Sequence, residues 1–223
     1  MSLVLPIAVA DRMVGSGFVA GREGGRIAVA TVLHILGNAQ QNVQLIVPGH
    51  QGDCRKIQSY PVSTVPTIAA TVACIDHFSD LAVLLCEATM PLAPEFVNSA
   101  DELKIGEDVV VLGYPFDTIG SLLETWTPTA VTSLGRRMIA GGVGVREFTL
   151  DIQAHPGLSG SPVLRRADGV ICGVVRGCLA HRIGISIGGV VPEQDTSITF
   201  AVSAHTIPEM VRHAFARLEE TRE

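Results

Sequence analysis

Apolar residues in this chain come in short runs of five to nine, each cut off by glycine, proline or a polar turn. The first series is GFVAG (17–21), RIAVATVL (26–33), VQLIV (43–47), TIAATVACI (67–75) and LAVLL (81–85). The second is DVVVLGY (108–114), TAVTSL (129–134), EFTLDIQ (147–153), GVICGVV (169–175) and SITFAV (197–202). Several runs alternate with period two, and many of their residues are β-branched, which suits strands. No long helical pattern lies between them, which argues against a parallel sheet with crossover helices. An all-β fold follows.

The polar stretch 98–108 (NSADELKIGED) divides the two series almost evenly. It reads as a linker between two β-barrels. The expected units are an N-terminal barrel over 1–97, the linker, a C-terminal barrel over 109–205 and a helix over 206–223. In that helix Thr206 and Glu209 form a possible T-x-x-E capping box, with Pro208 in the first turn. Ile207, Met210, Val211, Ala214, Phe215 and Leu218 then follow helical spacing, and the stripe is expected to lie on the second barrel. Residues 2–10 (SLVLPIAVA) read as a first strand, because no lysine or arginine precedes the run as it would in a signal peptide. No apolar stretch reaches transmembrane length.

Hydrophobic residues make up 47% of the 223-residue chain and charged residues 17%, enough for a sizeable core. The net charge of −6 speaks against a nucleic-acid binder. The pairs Arg136-Arg137 and Arg165-Arg166 read as solvated turn residues. The five cysteines cannot all pair with one another. Cys74, Cys86 and Cys172 lie inside apolar runs, as small hydrophobes do in a reduced compartment, so a cytoplasmic location is expected. Cys172, Cys178 and His181 fit no tight zinc spacing and lack an evident fourth ligand, so no metal is expected.

The segment HPGLSGSPVL (155–164) carries the chemistry. A nucleophilic serine needs a tight glycine-rich turn that exposes its hydroxyl and aims backbone N–H groups at a developing oxyanion. Gly157 and Gly160 flank Leu158-Ser159, and the Gly157 and Ser159 amides are the candidate donors. The α/β-hydrolase elbow is the competitor on paper. It requires a helix directly after the serine, which Pro162 and Val163 disfavour.

GLSGSP resembles the G-x-S-G-[GS]-P signature of trypsin-like serine peptidases. FTLDIQAHPGLSGSPVL is similar to the bacterial HtrA type in particular, with an aspartate eight residues before the serine and Pro-Gly just ahead of it. GSGFV (15–19), TVACIDHFSDLAVLL (71–85), SADELKIGEDVVVLGYPFD (99–117), TAVTSLGR and SITFAVSAHTI follow in that family's order. The resemblance implies two six-stranded antiparallel barrels with a C-terminal helix. It also implies a His34, Asp80, Ser159 triad in the cleft between them, protein or peptide substrates, and no metal or organic cofactor. Its histidine motif usually has a small residue where Val32-Leu33 stand. His50, His77 and His155 are the rival histidines, none on the matching element. Leu158 replaces the aspartate of zymogen-activated trypsins, so activation by a new N-terminus is not expected. The expected helix runs to residue 223, so the PDZ domain that HtrA proteins usually carry is not expected here.

For the substrate pocket, Gln153, His155, Val175 and Arg176 are the candidates. Gln153 stands where trypsins keep an acid, so cleavage after lysine or arginine is not expected. Arg176 either faces the pocket and favours an acidic side chain, or turns to solvent or a neighbouring acid. Two other readings remain: a peptide-binding or scaffolding barrel without activity, and an esterase using the same triad.

Overall fold

Alternation in which both phases are apolar requires strands covered on both faces. The computed structural model describes residues 4–10, 12–37, 42–47, 66–87, 103–115, 122–139, 141–182 and 193–220. Its first six strands are β1 (Val4–Val9), β2 (Arg12–Glu23), β3 (Arg26–Val32), β4 (Val43–Ile46), β5 (Thr67–Asp76) and β6 (Leu81–Glu87). They close into an antiparallel barrel in the order β1-β2-β3-β6-β5-β4. The second six are β7 (Asp108–Gly113), β8 (Thr125–Met138), β9 (Gly144–Asp151), β10 (Pro162–Arg165), β11 (Ile171–Arg182) and β12 (Glu193–Ser203). They close as β10-β11-β12-β9-β8-β7. The two six-stranded barrels and the C-terminal helix α1 (Ile207–Glu220) are as expected.

The strands show why the runs look continuous. Along β3 and β6, Ile27, Val29, Leu84 and Cys86 fill the first barrel. Their neighbours Ala28, Ala30, Val83 and Leu85 face outward and are also buried. They join an apolar mass that includes Leu112, Tyr114 and Val174 of the second barrel and Met210 and Val211 of α1. The second barrel has its own interior, built from Val111, Phe148, Leu150, Val163, Val175 and others. Three apolar bodies therefore form the core, and the one outside the two barrel interiors welds the barrels to each other and to the helix.

The helix docks on the first barrel, not the second as its sequence position suggested. Its contacts run to β2, β3, β5 and β6. Val211 sits over Gly21, and Arg217 NH1 donates to Ala73 O at 3.5 Å. The physical reason is the outward apolar face of β2, β3 and β6, which needs a cover. The capping box also fails: a 3-10 turn over Ala204–Thr206 winds straight into α1, and the Thr206 hydroxyl has no partner. An N-cap residue must be extended to reach back to the first turn, and Thr206 is already helical.

Cys86 and Cys172 are buried, and burial pushes their thiols up to about 11 and about 12. Cys74 is a half-buried free thiol, Cys178 is half-buried, and Cys54 lies outside the described residues. No described helix is long and apolar enough to cross a membrane.

Candidate active site

The register of two strands brings His34 to Asp80. β3 and β6 pair antiparallel with Val32 opposite Leu81, so the residues just beyond, 33 and 34, continue toward residue 80. Leu33 N–H donates to Asp80 O at 2.8 Å. The chain then tightens into a 3-10 turn over His34–Leu36. His34 N–H donates to Asp80 Oδ1 at 2.9 Å, and its Nδ1 lies 2.6 Å from Asp80 Oδ2. An ionised carboxylate only accepts, so Nδ1 carries the proton and Nε2 of the neutral ring is left as the acceptor. The imidazole is 46% exposed, Asp80 20%.

Asp80 itself is held in an unusual backbone conformation, φ +61°. Aspartate and asparagine tolerate this left-handed region better than most residues. The turn that precedes it is closed by Asp76: one carboxylate oxygen accepts Phe78 N–H at 2.9 Å and Ser79 N–H at 3.4 Å, and the other accepts the Ser79 hydroxyl. In the D-x-x-x-D segment the first aspartate builds the turn and the second faces the histidine.

Ser159 sits on the loop before β10. Leu158 N–H donates to His155 O at 3.1 Å and Ser161 N–H to Leu158 O at 3.0 Å, so the loop is two overlapping turns. Leu158 plugs the second barrel's interior, which turns its neighbour Ser159 the other way. Gly157 and Gly160 have φ +97° and +88°, which side chains rarely adopt. A Cβ on Gly160 would also overlap the Ser16 carbonyl, and one on Gly157 the Tyr114 carbonyl. Neither the Gly157 nor the Ser159 N–H has an acceptor among the described residues.

The first barrel grips this loop through Ser16, which is fully buried. Ser16 N–H donates to Ser159 O at 2.8 Å and Ser16 Oγ to Gly157 O at 2.7 Å. Tyr114 N–H donates to Ser16 Oγ at 3.2 Å, and Thr31 Oγ1 to Ser16 O at 2.7 Å. Next to it, Gly15 lies against both the Ser159 carbonyl and the Ile35 side chain. The serine loop and the histidine turn thus meet over β2. The Ser159 hydroxyl donates to Arg176 O at 3.3 Å and is not hydrogen-bonded to His34 in this conformation.

The pocket candidates separate. Gln153 is exposed, His155 is half-buried and Val175 points into the barrel interior. Arg176 is the extra residue of a bulge in β11, between the pairs Val175–Ala201 and Gly177–Phe200. Bulges re-aim side chains, and this one sends the guanidinium across β12 to β9, where NH1 meets Glu147 Oε1 at 2.7 Å. The same oxygen accepts Arg137 Nε at 2.7 Å, and Arg137 NH2 donates to Phe78 O at 2.9 Å. Arg137 is therefore no solvated turn residue. β8 runs through it, and a carboxylate with little exposure recruits it. Arg165, of the other pair, is tied to Asp168 at 2.9 Å.

Sequence reasoning missed Ser16, Tyr114, Glu147 and Arg137. Only Ser16 had a signal, its place in GSGFV. Of the rival histidines, His77 is exposed on the turn before Asp80 and His50 lies outside the described residues. A groove of about 420 Å³ runs along Leu134, Arg136, Arg146, Phe148 and Ser203, and its lining includes none of His34, Asp80 or Ser159. Among the described residues, no group of three His, Cys, Asp or Glu side chains is placed to hold a metal ion.

The chain and its fold are similar to known proteins. A family model described as a trypsin-like peptidase domain matches residues 15–174. "Serine protease HTRA4" of Mus musculus is 30% identical over 163 residues, covering 72% of this chain and 29% of its own. "Serine protease HtrA-like" of Staphylococcus aureus (strain bovine RF122 / ET3-1) is 24% identical, covering 73% of this chain and 20% of its own. The chain thus spans less than a third of the length of these relatives. Among solved structures, the active form of the Rv3671c protease from M. tuberculosis superposes with a TM-score of 0.65 at 25% identity, covering 95% of this chain and 80% of its own. Deg5, at 21% identity and the same TM-score of 0.65, covers 95% and 88% and shares the fold.

Proposed function

Because the chain belongs to the trypsin-like peptidase family, we propose that it is a serine endopeptidase acting through Ser159, His34 and Asp80. Ser159 Oγ attacks a peptide carbonyl. His34 Nε2 takes its proton and returns it to the leaving amine. Asp80 keeps the proton on Nδ1 and stabilises the imidazolium that forms. The Gly157 and Ser159 N–H groups bind the oxyanion, and water hydrolyses the resulting acyl-enzyme. The first motion is a rotation of the Ser159 hydroxyl from Arg176 O toward His34. Hydrogen bonds of this kind commonly close only when substrate arrives.

One observation carries the reading: Asp80 grips His34 at both its backbone N–H, at 2.9 Å, and its ring Nδ1, at 2.6 Å. A boundary histidine with no chemical task has no need of a fixed tautomer. A fluorophosphonate is expected to label the protein once, at Ser159, and labelling that survives Ser159→Ala would refute the assignment. The bond from Ser159 Oγ to Arg176 O favours a second reading, a barrel that binds peptide without cutting it. A folded wild-type protein that stays unlabelled would support that one. The free Cys74, Cys86 and Cys172 thiols fit the cytoplasmic location proposed with this function.

A further inference from the structure

The aspartate turn is pinned from two sides. Asp76 closes it from within the first barrel. From the second barrel comes Arg137 on β8, whose NH2 donates to Phe78 O at 2.9 Å. That carbonyl lies two residues before Asp80, in the turn that sets the left-handed Asp80 backbone. The guanidinium does not swing freely. Its Nε is bonded at 2.7 Å to Glu147 Oε1, and the Glu147 side chain is only 12% exposed. The same oxygen takes Arg176 NH1 at 2.7 Å. Arg176 is the bulged residue whose main-chain carbonyl accepts the Ser159 hydroxyl. A chain of charged contacts therefore runs from the strand beside Ser159, through Glu147 and Arg137, to the turn that carries Asp80.

We propose that Arg137 is a positioning residue for Asp80, aimed by Glu147 and coupled through it to the Arg176 bulge. The inference rests on the triad reading above. Arginine suits the task because its planar fork can address a carboxylate and a carbonyl at once. Lysine, with a single ammonium on a flexible stem, has no such fork. Losing the brace frees the 77–80 turn, and Asp80 then holds the imidazole in the reactive orientation for less of the time. Small misplacements of a catalytic group cost up to about 100-fold in rate. No substrate contact is lost, so the effect belongs in kcat and not in KM.

The experiment is a double-mutant cycle in the full chain, read by peptide hydrolysis. Arg137→Gln is expected to lower kcat about 10- to 100-fold with little change in KM and an unchanged melting temperature. Arg137→Lys, which keeps the charge, is expected to fall with it. In an Asp80→Asn background, where the aspartate's contribution is already gone, Arg137→Gln is expected to cost almost nothing further. Should Arg137→Gln fail to fold, Glu147→Gln replaces it in the same cycle, with a smaller loss in the same direction. Three results overturn the proposal: full rescue by lysine, an undiminished loss in the Asp80→Asn background, or an effect on KM alone. Labelling of Ser159 in the wild type and its loss in His34→Ala are the controls. If those fail, the triad reading falls. If they hold and the cycle is additive, only the role of Arg137 falls.

Discussion

Ser16 of the first barrel donates its hydroxyl to the carbonyl of Gly157 in the second, at 2.7 Å, across 141 residues of sequence. With its N–H on Ser159 O it holds both residues proposed to bind the oxyanion. Ser16→Ala removes two bonds, the one its hydroxyl donates to Gly157 O and the one it accepts from Tyr114 N–H. A buried polar group that loses such a bond costs about 1–3 kcal/mol. The expected outcome is a drop in kcat of about 10-fold or more, with a parallel loss of affinity for a peptide boronate that mimics the tetrahedral intermediate. A variant that melts earlier but binds the boronate as tightly as wild type would make Ser16 a packing residue only.

Replacing triad members should give losses that do not add. Asp80→Asn is the clean probe at its site, because asparagine accepts φ +61° about as well as aspartate. It presents an amide to Nδ1 and favours the wrong tautomer, for which a loss of about 10⁴-fold in kcat is reasonable. His34→Ala should cost as much, and the double variant little more than either. Near-normal turnover in His34→Ala would move the search for a base to His77.

Cleavage is expected after small or aliphatic residues. Gln153 offers no buried carboxylate for a lysine or arginine, and an unpaired cation is costly to desolvate. Arg176, the cation considered for selecting acids, is engaged by Glu147 at 2.7 Å. Profiling with a peptide library decides the matter. Dominant cuts after lysine or arginine would defeat the expectation. Cuts after aspartate or glutamate that vanish in Arg176→Ala would establish an acid pocket in its place.

The buried thiols should be chemically silent. Burial raises Cys86 to about 11 and Cys172 to about 12. At pH 8 their thiolate fractions are then about 10⁻³ and 10⁻⁴, and the thiolate is the reactive form. Iodoacetamide at that pH is expected to spare both in the folded protein and to modify both after denaturation, as mass spectrometry would read. Prompt modification of Cys172 in native protein would mean that the second barrel opens readily.

The strands were legible because burial on both faces leaves an apolar run that no polar phase interrupts. β10 was not, since its four residues are hidden behind the serine motif and begin with Pro162. His34 and Asp80 could be paired from their places in an ordered motif series. Ser16, Glu147 and Arg137 could not, because each acts through a contact far away in sequence, and its neighbours say nothing of that partner. Arg136-Arg137 looked like a turn for the same reason. Helical spacing in α1 identified the face to be buried but not the surface that buries it.

That surface has a bearing on synthesis. α1 begins 120 residues after the first barrel's last strand ends (207 − 87). At about 5–20 residues per second, a ribosome needs on the order of 10 s to cover that distance. A first barrel that closes as soon as its strands are made carries, throughout that interval, one greasy flank around Gly21 and Ala28 still bare. The first half of the molecule is made early and dressed late, and any chaperone that meets it on the ribosome should meet it on that side.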